Sequence, residues 1–196
     1  MEKEYFFNYE KMGYVRGKKA RGCILCLIRD SSPEVEDLCV LRDGLFLASV
    51  NLYPYNPGHL IVFPCRHVED LRELTGEEEL RLSELQRTLL DVLDRTHGPR
   101  AYNIGYNMGP DAGASIAHLH MHIIPRYPRE LGMADLIAGK RVLVEDPRET
   151  ARIVRKALER VGFRDGGAPE LSSRISPDPE AGREAAGKPR SRRRAH

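Results

Sequence analysis

The stretch HLHMHII (118–124) puts histidine at every second position, with Leu119, Met121 and Ile123 between and after. A period of two belongs to a β-strand, whose side chains alternate between faces. The chain must therefore build a sheet in which one strand shows imidazoles on one face and packs aliphatic side chains on the other. Three of the seven histidines fall within five residues. Same-face neighbours on a strand lie roughly 6–7 Å apart and the outer pair roughly 13 Å apart, so one metal ion cannot take all three. The histidines divide their work. The choices are a solvated polar face, a two-histidine metal site, or a nucleophilic imidazole with support on either side. Neutral imidazole is a nucleophile near pH 7 and can form a phosphoramidate at an electrophilic phosphorus.

The rest of the chain supplies a sheet and helices to cover it. LCVLRD (38–43) and LFLASVNL (45–52) read as two strands around an Asp43-Gly44 turn. NLYPYNPG (51–58) is a loop rich in proline and asparagine, and HLIVF (59–63) is a third strand. Thr75 and Glu78 have capping-box spacing, and Leu82, Leu85, Leu89 and Leu93 follow at helical intervals. That helix stops before HGPR (97–100). AYNIGYNM (101–108) and AHLHMHII (117–124) read as strands joined by GPDAGAS (109–115). A last helix opens at Asp146-Pro147, with Asp as N-cap, and its apolar face includes Val154, Ala157, Leu158 and Val161. The class is α+β, an antiparallel sheet with two main helices.

Residues 1–165 read as one domain, with 1–22 lying over its surface, and 166–196 as a disordered tail of Gly, Pro, Ser and Arg. The net charge of +2 is uneven, because 183–196 carries six Arg or Lys against Glu184. The body is then slightly acidic, which argues against nucleic acid as a partner. No apolar run is long enough to cross a bilayer and the first residues lack a signal-peptide pattern, so a cytoplasmic protein without membrane contact is expected.

The loop before the histidine row favours phosphorus chemistry. In NMGPDAGASIAH (107–118), Gly109 and Gly113 allow close backbone approach, Ser115 adds a hydroxyl, and loop amides can cradle phosphate oxygens. NMGPDAGASIAHLHMHIIPR resembles the signature of the histidine-triad (HIT) family, and NLYPYNPGHLIVFPCRHVEDLRELTGEE (51–78) is similar to the family's upstream half. Within the family, the likeness is strongest to the branch of diadenosine tetraphosphate phosphorylases and ATP adenylyltransferases. It covers roughly residues 5–160. The resemblance implies a HIT-like fold, a homodimer with sheets joined side by side, and an adenine nucleotide substrate. His120 would be the nucleophile at the α-phosphorus, and His122 would bond a phosphate oxygen. Asn107, Gly113 and Ser115 match phosphate-binding positions, Ser115 also serving the leaving group, and Asn51 would contact ribose or phosphate. Ala114 stands where many family hydrolases have Gln, which tilts the expectation toward phosphorylase or transferase. Hydrolysis of dinucleoside polyphosphates or of nucleoside phosphoramidates stays open. So does a zinc-stabilised regulatory module that only binds nucleotides.

Cys23 and Cys26 form a C-x-x-C pair. No clear redox-type helix follows, so a structural zinc ion is favoured over redox chemistry and over two reduced surface thiols. Zinc needs two further ligands, and zinc-bearing HIT members imply His67 and His118. Cys65 is a lesser alternative, and Cys39 belongs to the core. His59 opens its strand and orients the loop. His97 sits at a helix end with no assigned role. Tyr53 and Tyr55 either border a nucleobase or pack.

Overall fold

The computed structural model describes residues 22–128 and 145–163. Five strands, β1 (Cys39–Arg42), β2 (Phe46–Val50), β3 (Leu60–Pro64), β4 (Ala101–Tyr106) and β5 (Met121–Arg126), form one antiparallel sheet in the spatial order β1-β2-β3-β5-β4. The helices are α1 (Ile24–Arg29), α2 (Gly76–His97) and α3 (Pro147–Arg160). The expected α+β class holds, and β5 lies inside the sheet, between β3 and β4.

Alternation sorts the side chains into two layers. Leu60 and Val62 of β3, with Leu119, Met121 and Ile123, join Leu82, Leu85, Leu89 and Leu93 of α2 and Val154 and Leu158 of α3 in the main core. Ile61 and Phe63 point the other way, into a smaller cluster with Leu25, Cys39 and Leu47. Covered on both faces, β2 and β3 are buried along their whole length. Each fully buried aliphatic side chain contributes roughly 1.5–3 kcal/mol. The histidine row faces the smaller cluster, since His122 lies directly across from Ile61 and the His118 ring meets Phe63 edge-on at 5.8 Å.

Local chemistry sets the ends of the elements. In the β1–β2 turn, Asp43 Oδ1 accepts from the amides of Leu45 and Phe46. Thr75 and Glu78 form the expected reciprocal capping box on α2, and Gly98 closes that helix in the left-handed conformation. Asp146 caps α3, with Pro147 in its first turn. Gly58 has a φ of +76°, and a Cβ there would meet Pro125, Leu93 and His97 at 3.1–3.3 Å, so only glycine can lead the chain into β3. The buried Glu78 carboxylate also receives two bonds from Arg66, which hold its pKa down at about 2, so the segment bearing His67 is anchored to the start of α2.

Some boundaries differ from expectation. Residues 23–29 carry a short helix that the sequence reading lacked, with Cys23 as its N-cap. Pairing in β5 starts at Met121 rather than at residue 117, because the Leu119 amide bonds to the Val68 carbonyl outside the sheet. β4 ends at Tyr106 rather than at residue 108. Val161 is 40% exposed, because it caps α3 instead of extending its apolar face. The surface segment expected at the N-terminus, but for residue 22, and the disordered basic tail lie outside the described residues.

Candidate functional site

Each histidine of the row has its own partner, and the partner decides which ring nitrogen keeps a lone pair. A main-chain carbonyl can only accept, so a ring nitrogen bonded to one must carry the proton. His118 Nε2 donates to the Pro64 carbonyl at 3.0 Å, which leaves Nδ1 unprotonated. That Nδ1 lies 3.3 Å from Cys23 Sγ and 3.6 Å from Cys26 Sγ. His67 Nδ1 lies 3.4 Å from Cys26 Sγ, and its Nε2 is 3.7 Å from a Glu69 carboxylate oxygen. The ligand atoms of Cys23, Cys26, His67 and His118 all fall within 4.8 Å of one another, and this set could hold a metal ion. The four predicted ligands therefore converge, with Cys23 and Cys26 brought in by α1. Glu69 stands beside the His67 ring at ion-pair rather than hydrogen-bond distance. Burial pushes the His118 pKa down to about 4, and burial beside Cys23 pushes the Cys26 thiol up.

His120 has the opposite arrangement. Its Nδ1 donates to the His118 carbonyl at 2.7 Å, so the lone pair sits on Nε2. No described residue bonds that nitrogen. Although His120 is 5% exposed, this nitrogen is free to act as nucleophile or base.

His122 is set through a neighbouring histidine, His59. The Tyr55 amide donates to His59 Nδ1 at 3.1 Å, so His59 carries its proton on Nε2. His59 Nε2 lies 3.0 Å from His122 Nδ1 and donates to it. His122 must then carry its own proton on Nε2, as a donor to whatever sits beside His120. The His120 and His122 rings are 4.8 Å apart. Burial holds His59 down at about 3 and His122 at about 4, so this dyad is neutral.

The remaining predicted residues surround this centre with differing closeness. Asn107 directly follows β4, whose last residue, Tyr106, pairs with Met121, the neighbour of His120 in the chain. The Asn51 amide donates to the His59 carbonyl at 3.0 Å, while its Oδ1 accepts from the Tyr53 amide. Gly113 and Ser115 lie in the β4–β5 connection. The amides of Ala112, Gly113 and Ala114 are bonded inside that turn, so the cradle expected of this loop is reduced, and Ser115, which is exposed, is left with its amide and hydroxyl unbonded among the described residues. Gly113, with a φ of +84°, closes the turn. Sequence reasoning missed the contact between His59 and His122. The available signal was a histidine at the head of an otherwise apolar strand, now seen to be fully buried.

Comparison with known proteins identifies the family. The family model described as HIT domain matches residues 32–129. The chain is 39% identical over 120 residues to the AP-4-A phosphorylase of Mycobacterium tuberculosis, covering 61% of this chain and 62% of that one. It is 40% identical over 96 residues to the asymmetrical bis(5'-nucleosyl)-tetraphosphatase of Schizosaccharomyces pombe, covering 49% and 53%. The matched region thus spans less than two thirds of either relative. Among solved structures, a histidine triad nucleotide-binding protein of Sulfolobus tokodaii, itself called hypothetical, superposes with a TM-score of 0.59 at 26% identity, over 71% of this chain and 93% of that one.

Proposed function

The chain belongs to the HIT domain family, and we propose that it is a nucleotidyltransferase that cleaves dinucleoside polyphosphates such as diadenosine tetraphosphate at the α-phosphorus, through a nucleotidylated His120. One observation carries the reading. The His118 carbonyl holds the His120 proton on Nδ1, so Nε2 is the ring nitrogen turned to nucleophilic attack, and it stands beside a His122 N–H donor. The relatives named for phosphorylase and tetraphosphatase activity support the substrate class.

In the first step His120 Nε2 attacks the α-phosphorus, a P–N bond forms, and the bond to the bridging oxygen breaks to release ATP. His122 Nε2–H bonds the phosphoryl oxygen that gains charge, with Asn107 and the Ser115 hydroxyl and amide as further donors. Donors fixed before the charge develops lower the barrier most. In the second step an oxygen of inorganic phosphate attacks the same phosphorus, the P–N bond breaks, and ADP leaves with His120 Nε2 regenerated. Asn51, tied to the His59 carbonyl, would contact the ribose or a phosphate of the nucleotide.

Cys23, Cys26, His67 and His118 would hold zinc, whose preference for two sulfurs and two imidazoles fits this set and the unprotonated Nδ1 of His118. With four protein ligands the ion would supply structural restraint alone. The β4 edge, with Ile104 exposed, supports pairing with a second copy as a homodimer, and four free thiols support a cytoplasmic setting. No helix among the described residues is long and apolar enough to cross a membrane.

The test follows AMP, ADP and ATP from diadenosine tetraphosphate, with and without inorganic phosphate. ADP with ATP, dependent on phosphate, is the expected result. AMP with ATP in its absence would establish hydrolysis instead. No turnover would return the choice to phosphoramidates or to a nucleotide-binding module.

A further inference from the structure

Tyr55 is the one Phe or Tyr among the described residues that is more than half exposed, at 51%, and it stacks on the histidine that backs His122. Its ring stacks on His59, with centroids 5.3 Å apart and planes within 19°. His59 in turn meets His122 at 5.2 Å, and His122 meets His120 at 4.8 Å. Three ring contacts therefore lead from the nucleophile to an open aromatic surface. Among the described residues the only ring contact of Tyr55 is with His59, and the residue stays 51% exposed beyond it.

The loop that carries this ring is tied down at three points. The Tyr55 amide is bonded to His59 Nδ1, Asn56 Nδ2 donates to the Pro125 carbonyl at 2.6 Å, and the Tyr127 hydroxyl donates to the Pro57 carbonyl. A ring held in advance loses little freedom when a ligand covers it. Leu52, 38% exposed, adds apolar surface to the same loop. Flat, apolar, open on one side and backed by a buried imidazole, the surface suits an aromatic heterocycle better than a phosphate or a sugar.

We propose that the outer face of Tyr55 is a stacking platform for a nucleobase of the substrate. This rests on the nucleotidyl-transfer reading and deepens it, because it assigns a residue that sets affinity for substrates carrying a base. Both halves of a dinucleoside polyphosphate bring a base, and the experiment separates them. Base–aromatic stacking is worth about 1–3 kcal/mol, or about 5- to 150-fold in affinity.

The chain contains no tryptophan, so Tyr55→Trp installs a single indole reporter on the platform. It is combined with His120→Ala to prevent turnover, and titrated with diadenosine tetraphosphate, adenosine tetraphosphate and inorganic tripolyphosphate, with calorimetry alongside. Quenching by the adenosine compounds but not by tripolyphosphate is expected. Equal affinity for the two adenosine compounds would give the platform to the base of the attacked nucleotide, and tighter binding of the dinucleotide to that of the departing one. Heat of binding without quenching would overturn the platform while leaving the function reading intact. Absence of both signals would overturn the two together. In kinetics, Tyr55→Leu keeps the main-chain bond to His59 and should raise KM about 5- to 150-fold, with kcat little changed and Tyr55→Phe close to wild type. A fall in kcat at constant KM would mean that Tyr55 only shields His59, and would overturn the proposal.

Discussion

His118 and His122 stand at the two ends of one row and are held in unlike ways. His118 sits in a ring of side chains, among two thiols and a second imidazole supplied by α1 and by the segment after β3. His122 is held through a single imidazole, which is fixed by a main-chain amide. The first end is closed on all sides, and the second keeps one N–H unbonded among the described residues. The difference teaches that residue type does not settle what a histidine does. Its second nitrogen settles it, and the partner of that nitrogen comes from the fold.

Substitutions on either side of His118 and His122 can break that comparison. The largest effect is expected from His120→Ala, which removes the lone pair and should lower kcat/KM on the order of 10⁴-fold or more with little change in Tm. Activity surviving in that variant would remove His120 from the chemistry. Next comes Cys26→Ser, which strikes only the closed end. Purified protein should lose its zinc by elemental analysis, along with roughly 4 kcal/mol of stability when zinc stands near a thousand times its dissociation constant. A variant with unchanged zinc and Tm would show that Cys26 is not a ligand.

A smaller effect is expected at the open end from His59→Gln, which loosens the tautomer of His122. A fall in kcat of about 10- to 100-fold is expected, less than the loss of a whole oxyanion donor, with zinc content unchanged. The smallest effect is on stability against pH. Burial depresses His59 to about 3 and His122 to about 4 in the folded chain. The unfolded chain, with histidines near 6.5, therefore binds more protons over that window. Stability should fall as pH drops from 6.5 toward 4, by up to about 1.4 kcal/mol per pH unit for each histidine. Urea midpoints across this range should show the slope in wild type and a shallower one in His59→Gln. Equal slopes would remove His59 from the account.

What could be read in advance followed what was local. The period of two placed Leu119, Met121 and Ile123 in the core and turned the imidazoles away from it, and Thr75 with Glu78 fixed the start of α2. The four residues that could hold a metal ion were legible because two lie three apart and the other two belong to motifs. The helix α1 was not legible. Its six residues are too few to form alone, and its last carbonyls are satisfied by the Arg42 guanidinium, a tertiary contact 13 and 14 residues away. The alliance of His59 with His122 spans 63 residues and depends on the β3–β5 pairing, which no local pattern encodes. The histidines at 118 and 120 were placed in a strand by their period, yet their bonds run to single carbonyls instead of a ladder.

The thiol of Cys23 and the ring of His118 are 95 residues apart in sequence and 3.3 Å apart in space. Closing so long a loop is entropically costly until the intervening sheet has formed, so this corner assembles late on the folding route. A cross-link completed after the transition state slows the way out more than it hastens the way in. An ion at these ligands would therefore act as a clasp on a finished sheet, lengthening the lifetime of the folded chain without guiding its formation.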